Sequence, residues 1–339
     1  MQDRQGNEIN RIIYFVILWS SRNFAARNMA YLGEIISLGV AFSWTIAALS
    51  CEVAARKLGV VVTNVWRMLL ALVLSMCLMW WVTGSPMPVY AQSEAWFWLL
   101  LSGVVGYFFG DWCLFNSYLT IGSRYGQLFM TLAPMFTAIA AWALLGQRLN
   151  AESMVAMAVT LSGIAISILS RGEGKRMSLQ LPAKGVLFGI GAGIGQGLGL
   201  VLSKIGLDHY MADVPVGVLP QVEHILPFGA NLIRCIAGLV CFGLWLILKG
   251  DAKRFACGGA NGKAMVALVI AVLSGPLIGV GFSLMAVQYT AAGIASTLMA
   301  TTPIIILLPS YYMFHQKITL KGVIGAVISV VGVSLFFLL

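Results

Sequence analysis

The chain has 339 residues, of which 60% are hydrophobic and only 10% are charged, and its mean hydropathy is +0.91. Soluble domains are about 25% charged, so this composition excludes an ordinary soluble enzyme and predicts a protein that lies in lipid. The net charge of +9 does not indicate a nucleic-acid binder, because the basic residues cluster in segments between apolar blocks, where anionic lipid accounts for them. We therefore expect membrane lipid, and no nucleic acid, among the partners.

Ten apolar blocks follow one another along the chain, each close to the roughly 20 residues that an α-helix needs to cross a bilayer. In chain order, predicted spans 1 to 10 are Leu32–Ala55, Asn64–Thr83, Trp96–Thr120, Tyr125–Gly146, Ser153–Ser170, Gly185–Gly206, Ala230–Leu248, Ala264–Tyr289, Ile294–Phe314 and Leu320–Leu339. The alternating ten-residue segments of an outer-membrane barrel do not occur in the sequence. The predicted fold class is therefore an all-α integral membrane protein with ten transmembrane helices.

The first five spans and the last five resemble each other in sequence. Span 2 opens with "NVWRMLLALV" and span 7 with "NLIRCIAGLV", which pairs Arg67 with Arg234 and the asparagines three residues before them. "TLAPMFTAIAAWALLGQRLN" in span 4 matches "ATTPIIILLPSYYMFHQKIT" in span 9 without a gap, which pairs Pro134 with Pro303. An odd number of spans per copy makes the second copy insert upside down. The prediction is thus two inverted five-helix repeats, an architecture of secondary transporters.

The repeats divide the chain into four parts. Residues 1–30 form an amino-terminal tail, residues 31–171 the first repeat, residues 172–184 a basic linker and residues 185–339 the second repeat. The tail contains "IIYFVILWSS", which is too short to span a membrane and is not followed by a signal-peptide cleavage site. It either lies along the membrane interface or belongs to an untranslated extension upstream of a start at Met29.

Several motifs together carry a resemblance to a known family: "GEIISLGVAFSWTIAAL" in span 1, "LGQRLN" at the end of span 4, "GLVLSKIG" in span 6 and "AAGIASTLMATTP" leading to span 9. With the five-plus-five organisation, residues 31–339 resemble the drug/metabolite transporter superfamily, and within it the EamA-like transporters. The resemblance implies a multi-pass carrier of the bacterial inner membrane, with a central cavity lined by spans 1, 3, 4, 6, 8 and 9. Such carriers commonly export small metabolites or amino acids. The family often has glutamate where this chain has Gln147 and Gln316, so no role of those acids is carried over.

The orientation in the membrane is predicted differently by two arguments. Most of the lysines and arginines lie on the side that bears the loops after the odd-numbered spans. The positive-inside rule therefore places both termini outside, whereas the family resemblance implies that both are in the cytoplasm.

Asp111 is the most specific feature of the apolar spans. It lies deep in span 3, where an ionisable group costs about 2.5–3.5 kcal/mol and normally faces a cavity or a partner. Tyr118 follows seven residues later on nearly the same helix face, and Asn116 is expected to complete a polar stripe. We expect this stripe to line a substrate path, with Asp111 as a proton or substrate-amine site. The alternative is a structural acid buried against polar groups of a neighbouring helix.

Four other charged residues are candidates for gating or for charge near the cavity. Glu52 and Lys204 are equivalent when spans 1 and 6 are aligned, and inverted topology places them toward opposite membrane faces, so no direct ion pair is expected. Snorkelling to the interface is the alternative for Lys204. Arg67 and Arg234 begin their helices, which favours anchoring at the interface, although a cavity could recruit both for an anionic substrate.

Neutral polar residues complete the candidate site. Those within spans 1, 6 and 8 are Trp44, Gln196, Gln288 and Tyr289. The threonines before Pro303 either line the cavity or bond to their own backbone carbonyls, and the second interpretation is favoured. Pro134 and Pro303 are predicted to kink their helices, as gates or as static packing features.

Span 6 contains "GIGAGIGQGLG", which is not a phosphate-binding loop, because no strand precedes it and the G-x-G-x-x-G spacing is missing. In a helix its glycines form two ladders with a four-residue spacing. The first is Gly185, Gly189, Gly193 and Gly197, and the second is Gly191, Gly195 and Gly199. These ladders lie on roughly opposite sides, so neighbouring helices are expected to approach closely on both. The face with Gln196 is expected to point toward the cavity.

The alternative function is an intramembrane enzyme or a lipid-handling protein. Such an enzyme would place clustered acids, histidines or metal ligands within the spans, whereas His209, His224 and His315 lie in connecting segments and the cysteines form no C-x-x-C pair. We therefore expect no catalytic residue, no metal and no cofactor. The predicted function is a secondary-active exporter of a small metabolite, amino acid or drug-like molecule, working by alternating access. Its substrate, its coupling to protons and the choice between monomer and homodimer stay open.

Overall fold

The computed structural model describes residues 31–146, 151–168 and 182–314, and a few positions between residues 320 and 335. All regular elements in these ranges are helical, as expected of a backbone that must satisfy its polar groups inside lipid. The main helices are α1 Leu32–Leu58, α2 Val60–Thr83, α3 residues 93–121, α4 residues 123–145, α5 Ala151–Ile168, α6 Ala183–Asp213, α7 Leu226–Leu248 and α8 Gly262–Tyr289. The name α9 denotes three consecutive helices, Ala292–Met299, Thr302–Ile305 and Leu307–Phe314. Two short helices, Leu219–Val222 and Ala252–Gly258, flank α7.

Helices α1 to α9 correspond to predicted spans 1 to 9. Seven helical stretches in the described ranges are long and apolar enough to cross a membrane, and two further apolar helices, Ala133–Leu145 and Met154–Gly163, are shorter. Most of predicted span 10, the basic linker and the amino-terminal tail lie outside the described residues, as do Gln147 and Gln316. The count of ten membrane-spanning helices therefore stays a prediction.

Glycine forms the sharp turn between α3 and α4. Gly122 has a φ of 84°, a region that other L-residues rarely adopt. A contact across this turn shows that the chain reverses at Gly122: Gln127 Nε2 donates a 2.6 Å hydrogen bond to the Tyr118 hydroxyl. In an uninterrupted helix, two residues nine positions apart would be separated by about 13 Å along the axis. Gly59 forms a similar turn between α1 and α2, also with a φ of 84°.

The helices of the two halves pack in a pseudo-symmetric way. Helix α6 packs against α3 and α4, just as its counterpart α1 packs against α8 and α9. The two second helices, α2 and α7, pack against each other, and so do α4 and α9. Exchanging the halves therefore reproduces the main contacts, which supports the division of the chain into two related units.

A wide π-helical turn occurs at the same place in both halves. It spans Gly103–Gly110 in α3 and Leu273–Gly279 in α8. The glycines at 106 and 110 correspond to those at 275 and 279, at the offset of 169 that also relates span 4 to span 9. Such turns are rare and are found mostly at functional sites. In this protein both turns border the centre of the bundle.

The two glycine ladders of α6 form close contacts on opposite sides, as predicted. A Cβ atom added at Gly197 would lie 2.7 Å from the carbonyl oxygen of Ala133 in α4. A Cβ atom added at Gly195 would lie 2.6 Å from the Cα atom of Gly110 in α3. These neighbours are backbone atoms, which cannot move aside as a flexible side chain can. The glycines therefore let α6 approach both neighbouring helices more closely than any larger residue would allow.

Candidate substrate-binding cavity

Two adjoining chambers lie between the halves, with volumes of about 60 and 40 Å³. Their shared walls include Trp44, Gln127, Met130, Gln196 and Val280. We name them the Asp111 chamber, which Arg67 also lines, and the Arg234 chamber, and together the central cavity. Sites for small molecules usually have about 300–1,000 Å³, so this conformation is nearly closed around the cavity.

Asp111 is held by two partners in the wall of its chamber. The residue is only 4% exposed. Arg67 Nη2 from α2 donates to its Oδ2 atom, and Gln196 Nε2 from α6 donates a 2.7 Å hydrogen bond to its Oδ1 atom. Gln196 also donates to the carbonyl oxygen of Gly106, at 3.3 Å. Because a buried charge is tolerated only with good partners, this cluster binds α2, α3 and α6 to one another.

Arg67 and Arg234 do not anchor their helices at the membrane interface, so the interpretation favoured by the sequence is wrong. They are only 7% and 3% exposed. The prediction failed because α2 begins at Val60 and α7 at Leu226, four residues before the predicted starts of spans 2 and 7. Each arginine therefore lies about two turns inside its helix, and its side chain points into the protein.

Arg234 differs from Arg67 because it has no carboxylate partner. Its guanidinium lies over the ring of Tyr107, 4.5 Å from the ring centre, and it lines the Arg234 chamber. Within the part of the chain that the structure describes, Arg234 forms neither an ion pair nor a hydrogen bond, and its Nε atom is buried without a partner. It is thus a buried cation beside a cavity.

Tyr107 connects the two arginines to α7 and α8. Its ring also lies 5.9 Å from the Arg67 guanidinium, and its hydroxyl donates to Asn231 Oδ1. Asn231 Nδ2 in turn donates to the carbonyl oxygen of Pro276, inside the π-helical turn of α8. Tyr107 was not among the site residues predicted from the sequence, and Asn231 was predicted only as a marker of the repeat. The signal for Tyr107 was its position four residues before Asp111, on the same helix face.

Several predicted site residues do line the central cavity. Asp111 and Tyr118 share a face of α3 and both line the Asp111 chamber, and Trp44 borders both chambers. Gln196 also borders both, so the expected face of α6 is the one that points inward. The lining draws on α1, α3, α4, α6, α8 and α9, the six spans that the family resemblance implies. Arginines from α2 and α7 add to it.

Asn116, Gln288 and Tyr289 are not among the residues that line the two chambers. Asn116 Nδ2 donates a 2.7 Å hydrogen bond to the carbonyl oxygen of Trp112 in its own helix. Five residues along a helix correspond to a rotation of about 140°, which carries Asn116 away from the face of Asp111. Gln288 Nε2 lies 3.4 Å from the sulfur of a methionine in α6, and Tyr289, at the end of α8, is 37% exposed.

Glu52 and Lys204 do not form an ion pair with each other, as expected from the inverted topology, and each has a partner of its own. Glu52 is buried, accepts hydrogen bonds of 2.9 and 2.6 Å from Arg56, and accepts one of 2.8 Å from the backbone N–H of Ser123 at the start of α4. Lys204 Nζ lies 2.6 Å from Asp208, one helical turn away. Neither Glu52 nor Lys204 borders the two chambers.

Pro134 and Pro303 mark interruptions of their helices at matching places of the two halves. A 3₁₀ turn, Met130–Leu132, precedes Pro134, and α9 is broken immediately before the short helix Thr302–Ile305 that contains Pro303. Proline lacks the N–H that would continue the preceding helix. The threonines before Pro303 donate to carbonyl oxygens of preceding residues, as the favoured interpretation predicted, and Thr302 also lines the Arg234 chamber, as the alternative predicted. A gating role for the prolines stays a prediction.

The apolar helices and the buried charged cavity between related halves define a multi-pass helical membrane protein. The profile of the EamA-like transporter family matches residues 31–169 and 183–338, so the chain belongs to this family. The family resemblance seen in the sequence motifs is therefore confirmed. A solved structure described only as "Crystal structure of protein" superposes with a TM-score of 0.63 over 91% of this chain and 96% of the other, at 15% identity. That likeness shows a shared fold. Comparison with curated proteins gives no significant match.

Proposed function

We propose that this protein is a secondary-active carrier of the bacterial inner membrane that exports a small metabolite, amino acid or drug-like molecule. The observation that carries this proposal is the cluster of Arg67, Asp111 and Arg234, buried in a cavity that helices of both halves enclose. Charges inside a membrane are costly, and they typically mark substrate or ion pathways. Family membership supplies the general class of transporter.

Alternating access requires that the two halves move relative to each other around the cavity. The helices that surround it contain several places where such a movement can occur. The π-helical turns of α3 and α8 and the interruptions at Pro134 and Pro303 all border the cavity, and helices bend most easily at such features. Because the present cavity is smaller than a metabolite, an opening step must precede binding.

Asp111 is the proton site within this proposal. Both of its carboxylate oxygens already bind protein partners, Arg67 and Gln196, so a substrate amine would have to displace one of them. A proton on Asp111 would remove the charge that holds Arg67 and would free this part of α2 from α3. Protonation could therefore drive the movement of the halves without any direct contact between Asp111 and the substrate.

Transport is tested with purified protein in sealed proteoliposomes. Solutes that raise the melting temperature of the protein in a stabilisation screen are assayed for counterflow, with protein-free liposomes as the control. Carrier-dependent exchange of at least one such solute is expected. Specific binding without any exchange would overturn the transport proposal. In the same assay Asp111→Asn should exchange substrate without dependence on a pH gradient, and an unchanged dependence would overturn the role of Asp111.

A further inference from the structure

We infer that the substrate is an organic monocarboxylate with an apolar body, and that Arg234 binds its carboxylate in the Arg234 chamber. This inference rests on the transport function proposed above and specifies its substrate class. Its starting point is the unpaired guanidinium of Arg234, which is 3% exposed and borders a cavity. A buried arginine needs an anion to offset the cost of its desolvation, and its planar fork fits a carboxylate.

The charged groups of the cavity leave one positive charge that the described residues do not neutralise. Arg67 forms the direct ion pair with Asp111, and Arg234 also interacts electrostatically with that carboxylate, so two arginines and one acid leave a net charge of about one positive unit. A phosphate group carries about −1.5 to −2 charges at neutral pH and would overcompensate a single arginine. A monocarboxylate makes the site neutral.

The cavity does not provide a second charge for a zwitterion. The ammonium group of an amino acid is best bound by a free carboxylate, but no acid among the described residues lines the Arg234 chamber, and Asp111 in the adjoining chamber is already bound by Arg67 and Gln196. The other groups that line this chamber and can form hydrogen bonds are neutral: the hydroxyls of Ser283, Ser296 and Thr302, the side-chain amides of Gln127 and Gln196, and the indole of Trp44. The site therefore favours a simple carboxylate over an amino acid.

The rest of the Arg234 chamber is suited to an apolar body. Its walls include Leu200, Met299 and Val280, and the indole of Trp44 lies on the side of α1. An aliphatic or aromatic body would bury its apolar surface against these side chains, and the removal of that surface from water favours binding. Arg234 would then orient the carboxylate, and the apolar walls would add affinity.

The test measures binding of benzoate, phenylacetate and 4-phenylbutyrate, each compared with its neutral amide, by the shift in melting temperature of the purified protein. The carboxylates are expected to stabilise the wild type and the amides are not. Arg234→Gln removes the charge at similar size, and we expect it to weaken carboxylate binding by about 30-fold or more, as loss of a desolvated charge pair does. Arg234→Lys should retain part of the affinity, and Lys263→Gln, which removes an exposed cation outside the cavity, should bind as the wild type.

Three results would overturn the carboxylate site: equal binding of the amides, no stabilisation by any of the carboxylates, or unchanged carboxylate affinity in Arg234→Gln. Counterflow separates this inference from the transport proposal. If Arg234-dependent carboxylates bind but do not exchange across the membrane, the carrier function fails and the binding site stands. If neutral or cationic solutes exchange equally well in Arg234→Gln, the carrier function stands and the carboxylate site fails.

Discussion

Two arginines at equivalent positions of the two halves lie in different electrostatic surroundings. Arg67 of α2 is paired with Asp111 of α3, whereas Arg234 of α7 borders a chamber without a carboxylate partner among the described residues. The offset of 169 that matches the two π-helical turns places Val280 of α8 where α3 has Asp111. The acidic side chain of Asp111 is therefore one clear difference between the two environments.

This difference shows how a duplicated framework can acquire one binding site. Both halves have the arginine, the π-helical turn and its glycines, and both guanidinium groups lie close to the Tyr107 ring, 5.9 and 4.5 Å from its centre. In the first half, Asp111 pairs with Arg67, and this ion pair holds α2 and α3 together. In the second half Val280 leaves its arginine free for a ligand. The repeat thus supplies the geometry, and the departure from the repeat supplies the chemistry.

The substitution with the largest expected effect on folding lies in α6, at a position where the first helices of the two halves differ. Helix α6 has Gly195 against the backbone of Gly110, whereas α1 has Ser43 at the equivalent position, and Ser43 Oγ donates a 2.6 Å hydrogen bond to the carbonyl oxygen of Ser274. Gly195→Leu would force α6 away from α3, and we expect no monodisperse protein in size-exclusion chromatography. Ile190→Leu conserves volume in the same helix and should behave as the wild type. A monodisperse Gly195→Leu protein would contradict the close contact.

The second prediction compares the two arginines directly. Arg67→Ala leaves Asp111 buried without its cation, and we expect a loss of about 3–5 kcal/mol in the free energy of unfolding. Arg234→Ala breaks no ion pair and should cost clearly less, through lost packing on Tyr107. Unfolding of both variants in detergent, followed by intrinsic fluorescence, measures the difference. Equal losses would show that the two arginines are not in different environments.

A third prediction removes the difference between the halves. Val280→Asp would give α8 the acid that α3 has, and the new carboxylate should pair with Arg234. We expect benzoate binding to weaken by about 30-fold or more, because the site is then occupied by the protein itself. Val280→Thr has a similar shape and adds only a neutral hydroxyl, which can bond to a carbonyl oxygen of the preceding turn, so it should weaken binding by less than about threefold. Benzoate binding by Val280→Asp at wild-type affinity would rule out Val280 as the counterpart of Asp111.

The helices could largely be predicted from the sequence, because lipid allows few structures for the backbone and long apolar blocks are therefore informative. The residues at which α2 and α7 start could not be predicted in the same way. The turn at Gly59 is followed directly by "VVVT", so hydropathy does not show whether those residues belong to a loop or to a helix. That small error in the boundary moved Arg67 from the inside of its helix to the interface and reversed the interpretation of its role.

The candidate site was predictable in part. Asp111 stood out as a deep acid, and the same-face relation of Asp111 and Tyr118 depends only on helix geometry. The partners of Asp111 come from α2 and α6, and no pattern within one helix shows which other helices it meets. The role of Tyr107 likewise depends on the packing of α3 against α7, where the π-helical turn alters the phase of the helix.

Substitutions at a second pair of equivalent residues, Glu52 and Lys204, are expected to have the smallest effects on the free energy of unfolding. Glu52 binds the backbone N–H of Ser123 and so holds the turn between α3 and α4, whereas Lys204 pairs with Asp208, whose side chain is 47% exposed. Glu52→Gln keeps the shape but loses charge-assisted hydrogen bonds, at a cost of about 1 kcal/mol in the free energy of unfolding. Lys204→Gln should cost no more than about 0.5 kcal/mol, because a pair one turn apart with a half-exposed partner contributes little.

Detergent unfolding of both variants measures these two losses on one scale. Salt screens the pair of Lys204 with Asp208, so the contribution of this pair to the free energy of unfolding should decrease as salt is added. Lys204→Gln has no such pair, so its free energy of unfolding should lack this decrease. The Glu52 variant should lose stability at every salt concentration, because the buried carboxylate is shielded from ions in solution. A larger loss for Lys204→Gln than for Glu52→Gln would mean that the charge near the end of α6, and not the one near the end of α1, is the structural member of the pair.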